Sequence, residues 1–240
     1  MQYEDLPEGI GYGRFSPQHW ATLILCAALI LLALWIFRKR SEAHRNRIIK
    51  GIPWIMIGLE CFKDLFLLQA GHFGVGYLPL HLCSLGVFLF LLLSVSRTPK
   101  WKGIFGEIAV TLILPGSVAA LLFPDWAHLY PVWNFMNLYG YLWHSLLVLY
   151  PILCLAQGYV HLSIRHMHYD WLFLACVVPP VLAFDRMFHC NYMFVNWPPK
   201  GTPLEMIASI TGMQYYLAGY AAFSIGVILV IYLVIEVIKK

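Results

Sequence analysis

Charge is what this sequence has least of. Only 12% of its 240 residues are Asp, Glu, Lys or Arg, while 60% are hydrophobic. A soluble domain needs roughly twice that charged share, so an ordinary water-soluble fold is excluded. No basic stripe suited to nucleic acid is present, and no nucleic-acid partner is expected. The six cysteines, at 26, 61, 83, 154, 176 and 190, include no CxxC pair. That scatter excludes a disulfide framework and a cysteine-based zinc site, because thiols inside apolar runs usually pack as small hydrophobes. No coiled-coil repeat or strong small-xxx-small pattern dictates an oligomeric state, which the sequence leaves open.

What the chain does have is long apolar runs. Seven can be drawn, at approximately 17–37, 51–70, 77–95, 104–123, 134–157, 171–188 and 205–236. Each is near the ~20 residues that a bilayer requires. The expected fold is an all-α polytopic membrane bundle of seven transmembrane helices forming one domain over 1–240. The first run has no basic leader and is followed by Arg38-Lys39-Arg40, so it reads as an N-out anchor. The connections 38–50 and 96–103 are both basic, and both are cytoplasmic only if the stretch between them crosses twice. The resulting N-out, C-in topology places twelve of the sixteen Lys and Arg residues on one side.

Glu60, Lys63 and Asp64 therefore fall inside the second span, at i, i+3 and i+4 on one helix face. Each such group at bilayer depth costs roughly 2.5–3.5 kcal/mol on insertion scales. The stripe must face helices or water: either it is an ion pair that locks packing, or it lines a functional cavity. The topology brings further polar groups to the same outer half. They are His81 and Ser84 of the third span, Asn137 and His144 of the fifth, Asp185 and Arg186 of the sixth, and Asn191 beyond it. Gln214, Tyr215 and Tyr216 of the last span join them, and Leu114-Pro115-Gly116-Ser117 reads as a local helix break at similar depth.

A membrane histidine near a carboxylate has the parts of a general base. His144 and His81 are the best candidates, with Glu60 and Asp64 orienting them. Cys83, Ser84 and Ser117 compete as nucleophiles. In a regular helix Cys83 diverges from His81 by roughly 200°, whereas Ser84 shares the His81 face. Lys63 and Arg186 suit an anionic headgroup, and Asn137, Asn191 and Tyr215 are candidate substrate contacts. The aromatic, amide-rich segment 189–199 reads as a lid or as an interfacial belt. On the opposite side His161, His166, His168 and Asp170 form an H-x4-H-x-H-x-D cluster. Solvated interfacial histidines explain it better than a metal. A second metal reading, using His81, His144 and Asp64 or Asp185, is that of a zinc-dependent lipid hydrolase, but the paired H-x3-H of such enzymes is missing. The leading expectation is no metal and no cofactor.

Leu78-Pro79-Leu80-His81-Leu82-Cys83, Leu121-Leu122-Phe123-Pro124-Asp125, His144, and Asn191-Tyr192-Met193 followed by Pro198-Pro199 together resemble the YwaF-like family of bacterial integral membrane proteins. The resemblance runs from the second span to the start of the seventh. It implies a bacterial cytoplasmic membrane location. Eukaryotic relatives include a transmembrane acyltransferase of ether phospholipid metabolism, which implies acyl transfer among membrane lipids. In that relative a Cys directly precedes the motif His; here Leu80 stands there, and Cys83 is the nearest thiol. The leading expectation is thus a lipid acyltransferase or transacylase whose partner is a membrane lipid. The rivals are a proton-coupled transporter or ligand-binding membrane protein, and a scaffold with a locked polar core.

Overall fold

In lipid the backbone must satisfy its own N–H and C=O groups, so apolar runs of this length become helices. The structure, a computed structural model, describes residues 10–238; nine α-helices and no strand lie among them. They are α1 (Pro17–Arg38), α2 (Glu42–Gln69), α3 (Leu82–Val95), α4 (Pro99–Ile108), α5 (Leu114–Leu122), α6 (Phe135–Ala156), α7 (His168–Phe188), α8 (Pro203–Thr211) and α9 (Tyr216–Ile238). Among the described residues, five helical stretches are long and apolar enough to cross a membrane: Pro17–Arg38, Pro99–Leu122, Phe135–Ala156, Ile164–Phe188 and Met213–Val237. The chain is a multi-pass membrane protein. The seven-span expectation turns on two further helices. α2 has 28 residues but carries charges along its length, and α3 is apolar but only 14 residues long.

Two expectations are corrected. Pro115 does not break its helix: the backbone widens one turn earlier into a π-helix over Ala109–Ile113 and continues through Pro115 as α5. A proline lacks the amide that an α-helix would use, and the wider turn upstream accommodates it. Ser117 then donates to the Ile113 carbonyl at 2.7 Å, a bond within its own helix. The last span divides as well. α8 ends at Gly212, whose φ of 75° suits glycine, and a short 3₁₀ turn over Met213–Tyr215 leads into α9.

The core gathers residues from α2, α3, the α4–α5 rod, α6 and α9, including Met56, Phe90, Ile113, Leu147 and Tyr232. Tyr150 of α6 stacks on Phe90 of α3 at 4.3 Å and donates to the Phe90 carbonyl at 3.2 Å. At one end of the bundle His19 of α1 is wholly buried. Its Nδ1 accepts from the Phe15 amide at 2.8 Å, so its Nε2–H donates to the Leu121 carbonyl, 3.0 Å away at the end of α5. At the other end Asn46 of α2 accepts from both Gln157 and Tyr159, just past α6.

Close helix contact depends on small residues. A Cβ at Gly106 would lie 2.4 Å from Cγ2 of Val160 and 3.4 Å from its Cβ, close to that residue's backbone. A Cβ at Gly103, one turn earlier, would meet nothing within 4 Å. Gly106→Ala is therefore expected to lower the detergent-solubilised melting midpoint, with an overpacking cost of about 1–3 kcal/mol. Gly103→Ala should hold or raise it through helix propensity, worth up to ~1 kcal/mol. Equal midpoints for the two variants would contradict this packing.

Candidate functional site

α2 turns Glu60, Lys63 and Asp64 inward. Lys63 is only 6% exposed, too buried for an unpaired ammonium. Its Nζ sits 2.7 Å from Glu60 Oε1 and 3.1 Å from Asp64 Oδ1, so one cation bridges both carboxylates. Tyr139 of α6 donates to the other Glu60 oxygen at 2.5 Å. The Tyr139 and Tyr77 rings lie 5.8 and 6.0 Å from the ammonium, close enough for their faces to help hold it. α2 thus reaches α6 through a closed polar network.

His144, five residues beyond Tyr139 on α6, is buried. Its Nδ1 faces the Gly140 carbonyl at 2.7 Å. A carbonyl only accepts, so Nδ1 carries the hydrogen and Nε2 offers its lone pair. Among the described residues the bond to Gly140 is the one hydrogen bond of this side chain. Trp126 stacks on the imidazole at 4.9 Å and 12°, fixing the plane of the ring. Gly140 makes room for that indole, because a Cβ there would lie 2.6 Å from the Trp126 ring.

His81 is the opposite case. It occupies the N-cap of α3 without a side-chain capping bond, and its Nδ1 accepts from the Met193 amide at 3.2 Å. An amide only donates, so this imidazole is neutral and carries its hydrogen on Nε2. Tyr220 of α9 shares one apolar cluster with Leu82, Tyr192 and Met193. The first turn of α3, which includes Cys83 and Ser84, has no side-chain cap.

The segment after α7 straps this arrangement down. Tyr192 packs edge-on against His81 at 4.8 Å and donates to the Val75 carbonyl. Burial pushes the Tyr192 phenol up to about 12, so it keeps its proton across the physiological range. Tyr216 holds the Phe194 carbonyl at 2.7 Å. Met193 and Phe194 both have positive φ, at 52° and 58°. Non-glycine residues held there cost of order 1 kcal/mol or more each, and such conformations concentrate where the surroundings over-determine them.

Glu60, Lys63 and Asp64 are thus brought into contact, while His81 and Cys83 stand at the start of α3 and His144 stands on α6. Ser84 follows Cys83 in the first turn of α3 and is half-buried. Other expected residues lie elsewhere. Asn137 is buried but spends its amide on Tyr12 and on the Val132 carbonyl. Asn191 folds the strap itself, accepting from Asn196 and Trp197 and donating to the Trp197 carbonyl. Arg186 is exposed, and no ion pair to Asp185 occurs among the described residues. Tyr215 is 62% exposed, whereas its neighbour Tyr216 is the inward ring.

Sequence reasoning missed a second buried cluster, at the opposite end. Glu107 and Asp170 are almost wholly buried. His166 meets Glu107 at 2.8 Å, Thr111 donates to Asp170 at 2.7 Å, and Tyr232 donates to Asp170 at 3.0 Å. The signal was a lone acid in an apolar run, with Thr111 four residues on. These bonds also part the H-x4-H-x-H-x-D residues. Among the described residues no three His, Cys, Asp or Glu side chains converge as metal ligands.

Comparison with known proteins now places the chain. The model of the TMEM164 family matches residues 14–232. The chain belongs to the TMEM164 family. That family is one of membrane proteins, in keeping with the apolar helices. No curated protein and no solved structure matches the chain. In this TMEM164 family member the matched region takes in both polar clusters.

Removing the central cation strands two carboxylates. Lys63→Met is expected to cost about 3–5 kcal/mol, as for other buried pairs broken on one side. Adding Glu60→Gln and Asp64→Asn should recover much of the melting midpoint. An unchanged midpoint for Lys63→Met alone would contradict the network.

Proposed function

We propose that the protein is a membrane-embedded acyltransferase or transacylase acting on lipid ester groups. The observation that carries this reading is the complementary pair of histidines. His144 presents a bare Nε2, and the neutral His81 presents an Nε2–H. One is therefore a proton acceptor and the other a donor, and Cys83 lies in the uncapped first turn of α3 that His81 opens. Acyl transfer needs these parts: a base, a nucleophile and donors aimed at a developing oxyanion.

In this reading both α2 and α3 cross the bilayer, and the basic loops 38–50 and 96–103 face the cytoplasm. The site then lies in the outer half. His144 Nε2 takes the proton of Cys83, and the sulfur attacks the carbonyl carbon of a lipid ester. The carbonyl oxygen gathers negative charge opposite the uncapped first turn of α3 and His81. Collapse breaks the C–O bond, and the departing lysolipid oxygen takes the proton from His144. The hydroxyl of an acceptor lipid then attacks the thioester carbonyl and gives its proton to His144. The thiolate leaves and takes that proton back. Ser84 is the alternative nucleophile by the same steps, with an ester in place of the thioester.

The charged network has a supporting role. Lys63 is paired with Glu60 and Asp64 rather than gripping a headgroup, and Glu60 ties α2 to α6 through Tyr139. The transporter reading loses its broken helix, since the rod runs unbroken through Pro115.

Incubation of the purified protein with defined phospholipid and lysophospholipid, followed by lipid mass spectrometry, tests the proposal. Acyl exchange should fall about 10²-fold or more in His144→Gln, the scale of a lost general base. Cys83→Ala should abolish exchange while Ser84→Ala retains it, and the reverse would transfer the nucleophile's role to Ser84. Full exchange in His144→Gln would defeat the assignment.

A further inference from the structure

A cavity of about 410 Å³ opens at the end of the bundle opposite His81 and His144, where α3 gives way to α4 and the link from α6 to α7 passes beneath. Its volume falls in the range of small-molecule sites. Arg97 enters from the α3–α4 link, and Lys100 and Lys102 from the first turn of α4. None of these three cations has an ion-pair partner among the described residues. Thr98 gives α4 no side-chain cap, so the first-turn amides of that helix add to the same positive field.

The walls of the cavity are fixed. Lys102 lies over the Tyr159 ring at 4.9 Å. Tyr159 is itself anchored by donating to Asn46 at 2.6 Å. Glu107 lines the cavity too, and its charge is directed to His166 at 2.8 Å, within its own cluster. The cations stand at the end of the apolar Pro99–Leu122 rod, at the level where lipid headgroups begin.

We propose that this basic cavity is a binding site for a phosphate monoester, held by Arg97, Lys100, Lys102 and the open end of α4. Several separate cations around one small volume suit a group bearing more than one negative charge. Arg supplies a planar fork and the lysines supply point charges. The site lies at the far ends of α3 and α6 from the histidines and does not rest on the acyl-transfer reading. A lipid headgroup and a soluble phosphate ester share this chemistry, and the experiment separates them.

The full chain, purified in neutral detergent, is titrated with dioctanoyl phosphatidic acid, glycerol 3-phosphate and dioctanoyl phosphatidylcholine, and Kd is read for each. Phosphatidic acid is expected to bind more tightly than phosphatidylcholine, and its Kd should rise about tenfold or more in Lys100→Gln/Lys102→Gln. Binding of phosphatidic acid without glycerol 3-phosphate makes the ligand a lipid; binding of both at similar Kd makes the soluble ester sufficient. Arg97→Gln, an exposed change outside the helix, gives the same reading should the double variant fail to fold. The proposal is overturned if neither phosphate ester binds, or if the variants bind as tightly as the unaltered chain.

Discussion

The structure depends on one buried ammonium. Lys63 cannot face lipid, and at bilayer depth it is tolerable only with charge and dipoles around it. Glu60 and Asp64 supply the charge from the same helix, and Tyr139 closes the network from α6. That requirement sets which face of α2 meets the bundle. It also draws α2 against α6 at the level of Tyr139, five residues before His144. The histidine site is therefore built on a contact that electrostatics makes obligatory.

The same economy governs the other end of the bundle. Glu107 and Asp170 are the other deeply buried acids with protein partners, and Tyr232 stands between them while His166 and Thr111 complete their bonds. The π turn over Ala109–Ile113 lies directly after Glu107 and contains Thr111. A wider turn offers a helix extra freedom to aim its side chains. Both polar clusters thus use tyrosine hydroxyls from a neighbouring helix to finish what charges begin, leaving the middle of the bundle to apolar packing.

Much of this was legible in the sequence, for physical reasons. Hydropathy located the long helices, because lipid permits so few alternatives. The i, i+3, i+4 spacing of Glu60, Lys63 and Asp64 gave a shared face and an ion pair, but not that one cation would bridge both acids. His81 and His144 stood out because histidine is rare in such runs. What remained illegible needed tertiary contact. Asn137 and Asn191 look like ligand contacts in a sequence, yet both are occupied by their own backbone surroundings. Tyr215 and Tyr216 are adjacent, so the inward one depends on a 3₁₀ turn that pattern alone does not reveal. Pro115 reads as a break because the compensating π turn is upstream of it. Glu107 passed as a lone acid because its partners, His166 and Tyr232, are distant in sequence.

The account rests on two histidines with opposite proton placement. Selective ¹⁵N-histidine labelling in nanodiscs, with signals assigned by single His81→Gln and His144→Gln variants, reads that placement directly. The account predicts a neutral His144 protonated at Nδ1 and a neutral His81 protonated at Nε2. The same tautomer at both sites, or a proton on both nitrogens of His81, would contradict it.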